Sequence, residues 1–455
     1  MIYYLMHKDL KVLKMDINID GHINRVMEVY DVNHMPYSTS RGINNKDFAL
    51  FKRWWEDRSI PLSRNEYKNV LDTLDEKPLS LVLKAHGLSL NDQYWIKKED
   101  ESYVYDDISF FSNNFSDDIG DILVGKYKNS ENLDYYSPDS TSTGDLKKRW
   151  KNINGKTVML KAGTKPYQYE VFNEIIASKI MSILSIDHVE YSFYKDDSGI
   201  YCLSDNFILY NEEYVTAYQL YNSKKISNSI SLFNHLLDVY KELNIDNYKS
   251  CINEMLFVDY IMGNTDRHLN NFGVIRNAKT LEFKRMAPIY DTGSSLGYNL
   301  TDSELLNKTN IDWKPFKTKN IKSQLELIDD YSWLKIDALK RIPKEVDDLL
   351  KEYEEYISFQ RKSAIISFIV NRINNVLTYL NIDEMVNYSS YIELPALEKK
   401  VYSIFKDMKI IYDLDYLSKK CNASYITIYR TISKLVCKGL IVRKGSRKTG
   451  YWEIT

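Results

Sequence analysis

The 455-residue chain is too long for one ordinary hydrophobic core, so its length predicts two to four domains. Hydrophobic residues make up 44% of the chain, charged residues make up 27%, and the net charge is −2, which excludes a disordered protein and a uniformly basic one. No apolar run is long enough to cross a bilayer, and Lys8 interrupts the N-terminal apolar stretch, so we expect neither a membrane protein nor a signal peptide.

The charge is unevenly distributed along the chain. The tail, residues 396–455, has 13 Lys and Arg against 5 Asp and Glu, a net charge of +8, so the remainder carries −10. An acidic body with a basic tail indicates two different partners. The four cysteines have no CxxC spacing, which is typical of reduced thiols in a cytoplasmic protein.

Residues 1–125 have the composition of a small domain but contain no motif that predicts chemistry. Trp54 and Trp55, in FKRWWEDRSIPLSR, are more typical of core packing than of a binding platform. We therefore predict an accessory domain here.

The segment 126–215 alternates between loop, strand and helix patterns. YYSPDSTSTGDLKKRW is rich in Ser, Thr, Asp and Pro, so it predicts a flexible loop over 135–150. Val158 to Lys161 predict a strand that ends in a lysine, and the apolar spacing of PYQYEVFNEIIASKIMSIL predicts a helix. VEYSFYKDDSGIYCLSDNFI alternates around DDSG, which is typical of a β-hairpin.

Residues 216–390 have a mostly helical pattern and contain the densest group of polar side chains. YKSCINEMLFVDYIMG has a broad apolar helical face that ends at Gly263, a natural helix stop. MGNTDRHLNNFGVIR then gathers Asp, Arg, His and Asn in a short non-helical stretch, which by itself is typical of a polar turn. NFGVI and LEFKRM predict a hairpin around 277–280, and YDTGSSL follows it.

The predicted hairpin changes the meaning of that polar stretch. It returns the chain to its starting point, so it places Asp291 beside Asn271, which lies five residues after Asp266. Protein kinases use this set for phosphoryl transfer: one Asp orients the acceptor hydroxyl, an Asn binds Mg²⁺, and a second Asp joins Mg²⁺ to the phosphates.

The upstream residues fit the same chemistry. Lys161 at a strand end could hold the phosphates, and Glu170 and Glu174 share the helix face from which a carboxylate would fix that lysine. Each residue alone is more often simply solvated. Their order and spacing together indicate a kinase-like site.

GNTDRHLNNFGV followed by APIYDTGSSL closely resembles the HipA-like kinases, which are serine/threonine protein kinases of bacterial toxin–antitoxin type. The resemblance covers about residues 135–300. It implies an α+β, bilobal protein-kinase-like fold with ATP and Mg²⁺ as cofactors. The phosphate loop lacks a Gly-x-Gly-x-x-Gly pattern and matches the family poorly, as does the N-terminal region.

The family motif assigns roles to residues of this chain. Asp266 becomes the catalytic base, and His268 is either a structural hydrogen-bonding residue or a second base. Arg267 either neutralises a phosphate or locks the loop. Asn271 and Asp291 become the Mg²⁺ ligands. The resemblance further implies ATP binding by Lys161, by Glu174 in preference to Glu170, and by Asp205 and Phe207, and autophosphorylation at Ser140, Thr141, Ser142 or Thr143.

The basic tail is predicted to be a winged helix. LEKKVYSIFKDM, DLDYLSKKC and SYITIYRTISKLVCKGL predict three short helices, and LIVRKGSRKTGYWEI predicts a hairpin with a basic tip, an order that resembles winged-helix DNA-binding domains in general form. The alternative is a protein-docking winged helix with a solvated basic face. Ile428, Ile432, Leu435 and Val436 share one face of the third helix, and the predicted DNA contacts are Thr427, Arg430, Ser433, Lys434, Arg447 and Lys448.

The sequence thus predicts an accessory domain (1–125), a kinase N-lobe (126–215), a helical C-lobe with the catalytic loop (216–390) and a winged helix (396–455). The predicted function is an ATP- and Mg²⁺-dependent protein serine/threonine kinase of the cytoplasm. Its predicted partners are a protein substrate, duplex DNA and an antitoxin. The alternatives are a transcription regulator whose kinase-like body only senses nucleotide, and a scaffold or antitoxin-binding protein.

Overall fold

Four small antiparallel sheets are distributed along the described part of the chain, with helices packed between them, and this mixture confirms the predicted α and β content. The structure is a computed structural model. It describes residues 1–62, 67, 71, 74–126, 133–142, 144, 146–225, 229–307, 314–316, 321–387, 394–437, 440–446 and 449–454. No helix within these ranges is both long enough and apolar enough to span a membrane.

The N-terminal region is built on a four-stranded sheet with the order β3-β2-β1-β4. Trp55 is 1% exposed and its indole N–H donates to the carbonyl oxygen of Gly21, so the prediction that it packs in the core is confirmed. The elements of this region are β1 (Ile2–His7), β2 (Leu10–Ile17), β3 (Ile23–Val29), α1 (Ala49–Glu56), α2 (Pro78–Lys84), β4 (Tyr94–Lys98), α3 (Tyr105–Ile108) and α4 (Asp118–Leu123).

A second four-stranded sheet follows, and one helix packs against it. The predicted lysine strand, helix and DDSG hairpin are all present, and the sheet order is β5-β6-β8-β7. Nearly all residues of the helix are buried, including the polar Glu170, Asn173 and Glu174. The elements are β5 (Lys148–Ile153), β6 (Lys156–Lys161), α5 (Tyr169–Leu184), β7 (Ser192–Asp196) and β8 (Gly199–Asp205).

The third region is mostly helical, as predicted, and it contains the largest hydrophobic core. Its three strands form a sheet with the order β11-β10-β9, so the predicted hairpin gains a third strand from upstream in the chain. The elements are β9 (Glu212–Thr216), α6 (Ala217–Ser223), α7 (Leu232–Glu242), α8 (Tyr248–Met262), β10 (Gly273–Asn277), β11 (Phe283–Met286), α9 (Asp302–Asn307), α10 (Ile321–Leu325), α11 (Ile336–Lys351) and α12 (Phe359–Tyr379).

Buried charges join the N-terminal sheet to β9 and β10. His7 Nε2 lies 3.1 Å from Glu213 Oε2, and Arg276 donates to the same carboxylate and, at 3.1 Å, to the hydroxyl of Tyr94. Burial alone would raise the pKa of Glu213, but Arg276 and His7 lower it below its usual value. The carboxylate therefore stays ionised and paired. Without its partners, a buried charge would strongly destabilise the folded protein.

The basic tail contains the predicted three helices and hairpin, together with one short extra strand. Ile428, Ile432 and Leu435 are buried in its own core, as the helical spacing predicts, whereas Val436 is only partly buried. The sheet order is β12-β14-β13. The elements are α13 (Ala396–Met408), β12 (Ile410–Ile411), α14 (Leu414–Cys421), α15 (Tyr425–Cys437), β13 (Ile441–Lys444) and β14 (Tyr451–Ile454).

Gly273, at the start of β10, lies where β9 approaches too closely for any side chain. A Cβ there would overlap the carbonyl oxygen of Val215, whereas a Cβ at Gly155 would meet no atom within 4 Å and would be disfavoured only by a φ of 77°. We expect Gly155→Ala to cost about 1 kcal/mol. Gly273→Ala should lower the melting temperature further, because two paired strands must separate. An equal or smaller shift for Gly273→Ala in scanning calorimetry would contradict this account.

Candidate active site

The polar stretch after α8 forms a loop whose shape its own side chains maintain. Helix α8 ends at Gly263, whose φ of 61° lies in the left-handed region that glycine adopts readily. Asn264 then donates its Nδ2 hydrogen to Asp259 Oδ1 at 2.8 Å and accepts the backbone N–H of Asp266 at 3.0 Å. The position of Asp266 is therefore determined by a buried carboxylate on the preceding helix.

Arg267 lies at the centre of this loop and has no exposed surface. Its Nε and Nη2 each donate to Asp259 at 2.9 Å, and its Nη1 donates to the carbonyl oxygens of Asn271, at 2.9 Å, and Tyr290. Burial alone would lower the pKa of Arg267, but Asp259 outweighs it and raises that pKa. Arg267 therefore locks the loop, and the alternative in which it neutralises a phosphate is wrong.

This single guanidinium brings the two halves of the predicted site together. The carbonyl groups of Asn271 and Tyr290 bind the same nitrogen atom, so the loop and the segment after the hairpin lie side by side. Asp291 follows Tyr290 directly. The convergence of Asn271 with Asp291 that the hairpin predicted is thus present in the structure.

The remaining loop residues occupy different environments. Asp266 presents a half-exposed carboxylate, 45% accessible, whereas its backbone oxygen accepts from Asn271 Nδ2 at 3.2 Å. The ring of His268 accepts the backbone N–H of Asn270 through Nδ1 at 3.3 Å, a bond that shapes the turn. This contact favours the structural interpretation of His268 over a second base.

Lys161 connects β6 to α5 and to the segment that follows the β10–β11 hairpin. Its Nζ lies 2.6 Å from Glu174 Oε1 and 2.5 Å from Asp291 Oδ1. The second oxygen of Glu174 accepts both the backbone N–H and the hydroxyl of Thr292, at 2.9 and 2.7 Å. Glu174, and not Glu170, is therefore the carboxylate that fixes the lysine, as predicted. Glu170 instead accepts the backbone N–H of Thr164.

Mutual attraction keeps this cluster charged. Burial alone would lower the pKa of Lys161, but Asp291 and Glu174 outweigh it and raise that pKa well above its usual value. For Asp291, burial acts to raise the pKa, but Lys161, Lys148 and Arg267 lower it below its usual range. At neutral pH the site therefore presents an ionised lysine and an ionised aspartate side by side.

Asn271 and Asp291 fit a magnesium ion. Asn271 uses Nδ2 for the Asp266 carbonyl group, which leaves its Oδ1 for a cation, and the carboxylate of Asp291 is 32% exposed. Mg²⁺ prefers hard oxygen ligands and keeps several waters, so one or two protein oxygens together with phosphate oxygens suffice. These two residues would hold the ion, which would neutralise phosphate charge when bound.

Phe207 and Asp205 differ in their relation to the site. Phe207 packs against Tyr290, with ring centroids 5.3 Å apart, and against Tyr214, and so lies next to Asp291. Asp205 ends β8 with an exposed carboxylate, 3.3 Å from Lys156 Nζ. The ATP contacts of Phe207 and Asp205 both stay predictions.

The Ser- and Thr-rich segment is not the flexible loop that its composition predicts. Pro138–Thr141 forms a 3₁₀ turn, and Asp139, which is fully buried, accepts the backbone N–H of Trp150 at 2.8 Å. The hydroxyl of Thr141 donates to the carbonyl oxygen of Leu88 at 3.0 Å. Composition misled because these hydroxyl and carboxylate groups bond to the protein interior instead of to water.

This burial bears on the predicted autophosphorylation. Ser140, Thr141 and Ser142 are all at most 4% exposed, so a phosphoryl group could reach them only after the segment leaves the interior. Thr143 lies outside the described residues. Modification at these positions stays a prediction.

Three further residues of the site received no role from the sequence. Asn173 donates its Nδ2 hydrogens to the carbonyl groups of Gly293 and Ser295, and Thr292 donates to Glu174. Asp259, the partner of Arg267, could have been found, because it is a lone acid within the apolar run MLFVDYIM. A charged residue on a buried helix face needs a partner, and Arg267 is the cation nearest in sequence.

Comparison with known families agrees with this geometry. Residues 137–357, just under half of the chain, match the family model of the HipA-like C-terminal domain. This region is a HipA-like C-terminal domain. None of the curated proteins matches the chain.

Two solved structures are similar to this chain. A Helicobacter pylori proinflammatory kinase, CtkA, is 20% identical with a TM-score of 0.39, covering 52% of this chain and 95% of CtkA. HipA of Shewanella oneidensis MR-1, from a toxin–antitoxin complex with HipB and operator DNA, is 13% identical with a TM-score of 0.47, covering 86% of this chain and 100% of HipA. At these scores the resemblance of the backbone paths is loose.

The buried Arg267–Asp259 pair should be essential to the stability of the HipA-like domain. Arg267→Ala would leave the Asp259 carboxylate buried without its cation, which should cost about 3–5 kcal/mol. Arg285→Ala is the control, because Arg285 is 41% exposed and its partner Glu212 keeps a second cation, Lys284, at 3.4 Å, so its loss should cost much less. Guanidinium unfolding monitored by tryptophan fluorescence measures both. Similar midpoints for the two variants would show that Arg267 does not lock the loop.

Proposed function

We propose that this protein is an ATP- and Mg²⁺-dependent serine/threonine protein kinase of the HipA-like type. The observation that carries the proposal is the link through Arg267, which holds Asp266 and Asn271 beside the Tyr290–Asp291 step. Phosphoryl transfer depends mainly on positioning and on charge stabilisation, and this arrangement supplies both.

The residues divide the work as follows. Lys161, held by Glu174, would bind the phosphates of ATP, and Asn271 and Asp291 would hold Mg²⁺ against them. Asp266, with its half-exposed carboxylate, would orient the acceptor hydroxyl and accept its proton. The hydroxyl oxygen then bonds to the γ-phosphorus, and the bond to the β–γ bridging oxygen breaks as ADP leaves.

Two substitutions separate the proposed base from the proposed metal ligand. Asp266→Asn should abolish transfer of labelled phosphate to proteins of a host lysate and to the chain itself, while the affinity for ATP with Mg²⁺ changes less than about twofold. Asp291→Asn should instead weaken nucleotide binding in the presence of Mg²⁺ and remove its dependence on Mg²⁺. Isothermal titration and phosphosite mapping provide the two measurements.

Asp348→Asn is the matched control, because Asp348 is 46% exposed and pairs with Lys344 and Lys351 of its own helix. It should leave both quantities unchanged. Phosphate transfer at the normal rate by Asp266→Asn would remove Asp266 from the mechanism. Nucleotide binding without any transfer by the unmodified protein would favour the transcription regulator that only senses nucleotide.

We further propose that the basic tail binds duplex DNA. Thr427, Arg430, Ser433 and Lys434 lie together on the exposed face of α15, opposite the buried face. Thr427 and Ser433 already bond to Ser424 Oγ, just before the helix, and to the Tyr429 carbonyl oxygen. Lys434 lies 3.9 Å from Glu398 but is 66% exposed, so it and Arg430 are the groups best placed for DNA. Arg447 and Lys448 lie outside the described residues. An antitoxin partner and a protein substrate stay predictions.

The 455-residue chain should bind random-sequence duplex DNA with an affinity that falls as salt rises. Lys434→Ala should reduce the slope of log affinity against log salt by about 0.9, the expected value for one lost phosphate contact. Lys179→Ala, which removes an exposed lysine of the body that pairs with Glu345, should leave the slope unchanged. Fluorescence anisotropy at low salt measures binding. No binding by the unmodified protein would favour the protein-docking alternative.

A further inference from the structure

Asp266 has an ion-pair partner that the motif does not contain. Lys314 Nζ lies 3.0 Å from Asp266 Oδ1, although the two residues are 48 positions apart. Both side chains are about half exposed, at 55% and 45%. The ammonium group therefore stands on the open side of the carboxylate, where an acceptor hydroxyl would approach.

Lys314 is held near the catalytic loop by an aromatic anchor two residues further on. Phe316 is 6% exposed, and its ring packs against Phe272, at 6.2 Å between centroids, and Phe233, at 4.9 Å. Phe272 directly follows Asn271. The contact between Phe316 and Phe272 therefore positions residue 314 close to the loop that carries Asp266.

The other cations of the site face elsewhere. Arg267 points into the protein towards Asp259, and Lys161 contacts Glu174 and Asp291 on the nucleotide side. Within the described residues, Lys314 is the cation that contacts the carboxylate of Asp266. Tyr298 shares this electrostatic environment: burial, Glu170 and Asp266 raise its pKa, and Lys314 lowers it.

Stability does not explain the contact. An ion pair between two half-exposed side chains contributes little to folding stability, so folding gives little reason for a lysine here. A preorganised cation beside the atoms where negative charge develops is, by contrast, a strong contributor to phosphoryl transfer.

We propose that Lys314 is a catalytic residue of the kinase reaction, an inference that rests on the proposed function. As the acceptor oxygen bonds to the γ-phosphorus and its proton passes to Asp266, the Lys314 ammonium contacts the transferred phosphoryl oxygens from the acceptor side. Lys314 remains protonated throughout. Between turnovers it pairs with Asp266 and keeps that carboxylate turned towards the acceptor.

The test compares a mimic of the transferred phosphoryl group with the ground state. Affinities for ATP with Mg²⁺, and for ADP with Mg²⁺ and aluminium fluoride, are measured by isothermal titration on the unmodified 455-residue chain and on its variants Lys314→Ala and Lys314→Arg. Lys314→Ala should bind the fluoride complex at least about tenfold more weakly, because that complex resembles the transition state and ATP does not. Its ATP affinity and its melting temperature should be unchanged. Lys314→Arg should recover most of the loss.

Lys344→Ala is the control. Lys344 is 63% exposed and pairs with Asp348, four residues later on the same helix, and neither residue belongs to the candidate site. Equal fluoride-complex affinity for Lys314→Ala and the unmodified protein would overturn the inference and leave the proposed function intact. Faster phosphate transfer by Lys314→Ala would also overturn it and would mark the contact as inhibitory. If the unmodified protein binds neither ATP nor the fluoride complex, the proposed function itself fails, and this inference fails with it.

Discussion

The buried guanidinium of Arg267 is the interaction on which the site depends. An unpaired cation cannot be held inside a protein without a large loss of stability, so its five donors must find acceptors. Asp259 on α8 supplies the opposite charge and accepts two of its hydrogen bonds, and the carbonyl groups of Asn271 and Tyr290 accept two more. Satisfying this one group requires the loop and the hairpin segment to meet, and that meeting creates the site.

A second network shares the same step of backbone. The carbonyl oxygen of Tyr290 accepts from Arg267, the carboxylate of Asp291 accepts from Lys161, and the hydroxyl of Thr292 donates to Glu174. Between these fixed points Asp291 adopts a φ of 59°, in the left-handed region that residues other than glycine seldom occupy. Such strain persists only where the surroundings impose it, and here contacts on both sides do so.

Buried charges also join the N-terminal region to the part of the chain that contains the site. The N-terminal sheet is joined to β9 and β10 through Glu213, Arg276 and His7, and β10 begins two residues after Asn271. The N-terminal region, which contains no motif of its own, therefore supports the strand that follows the candidate loop. The tail differs, because its helices and hairpin enclose a core of their own.

The sequence by itself determined the local elements and the identity of the candidate site residues. Periodicity located α5, α8 and the β10–β11 hairpin, because apolar spacing reports which face of an element is buried. Spacing alone placed Asp291 beside Asn271, and the motif favoured Glu174 over Glu170. These features depend on residues close together in the chain or joined by a single hairpin.

Only the tertiary structure decided the rest. It resolved the role of Arg267, buried the segment 137–142 that composition assigned to solvent, joined the N-terminal sheet to the site, and brought Lys314 to Asp266. Each of these outcomes depends on partners far apart in sequence, such as Leu88 for Thr141. Periodicity and composition indicate whether a side chain tends to be buried or exposed. Which distant group becomes its partner is decided only when the chain folds, because burial and pairing depend on the packing of the whole structure.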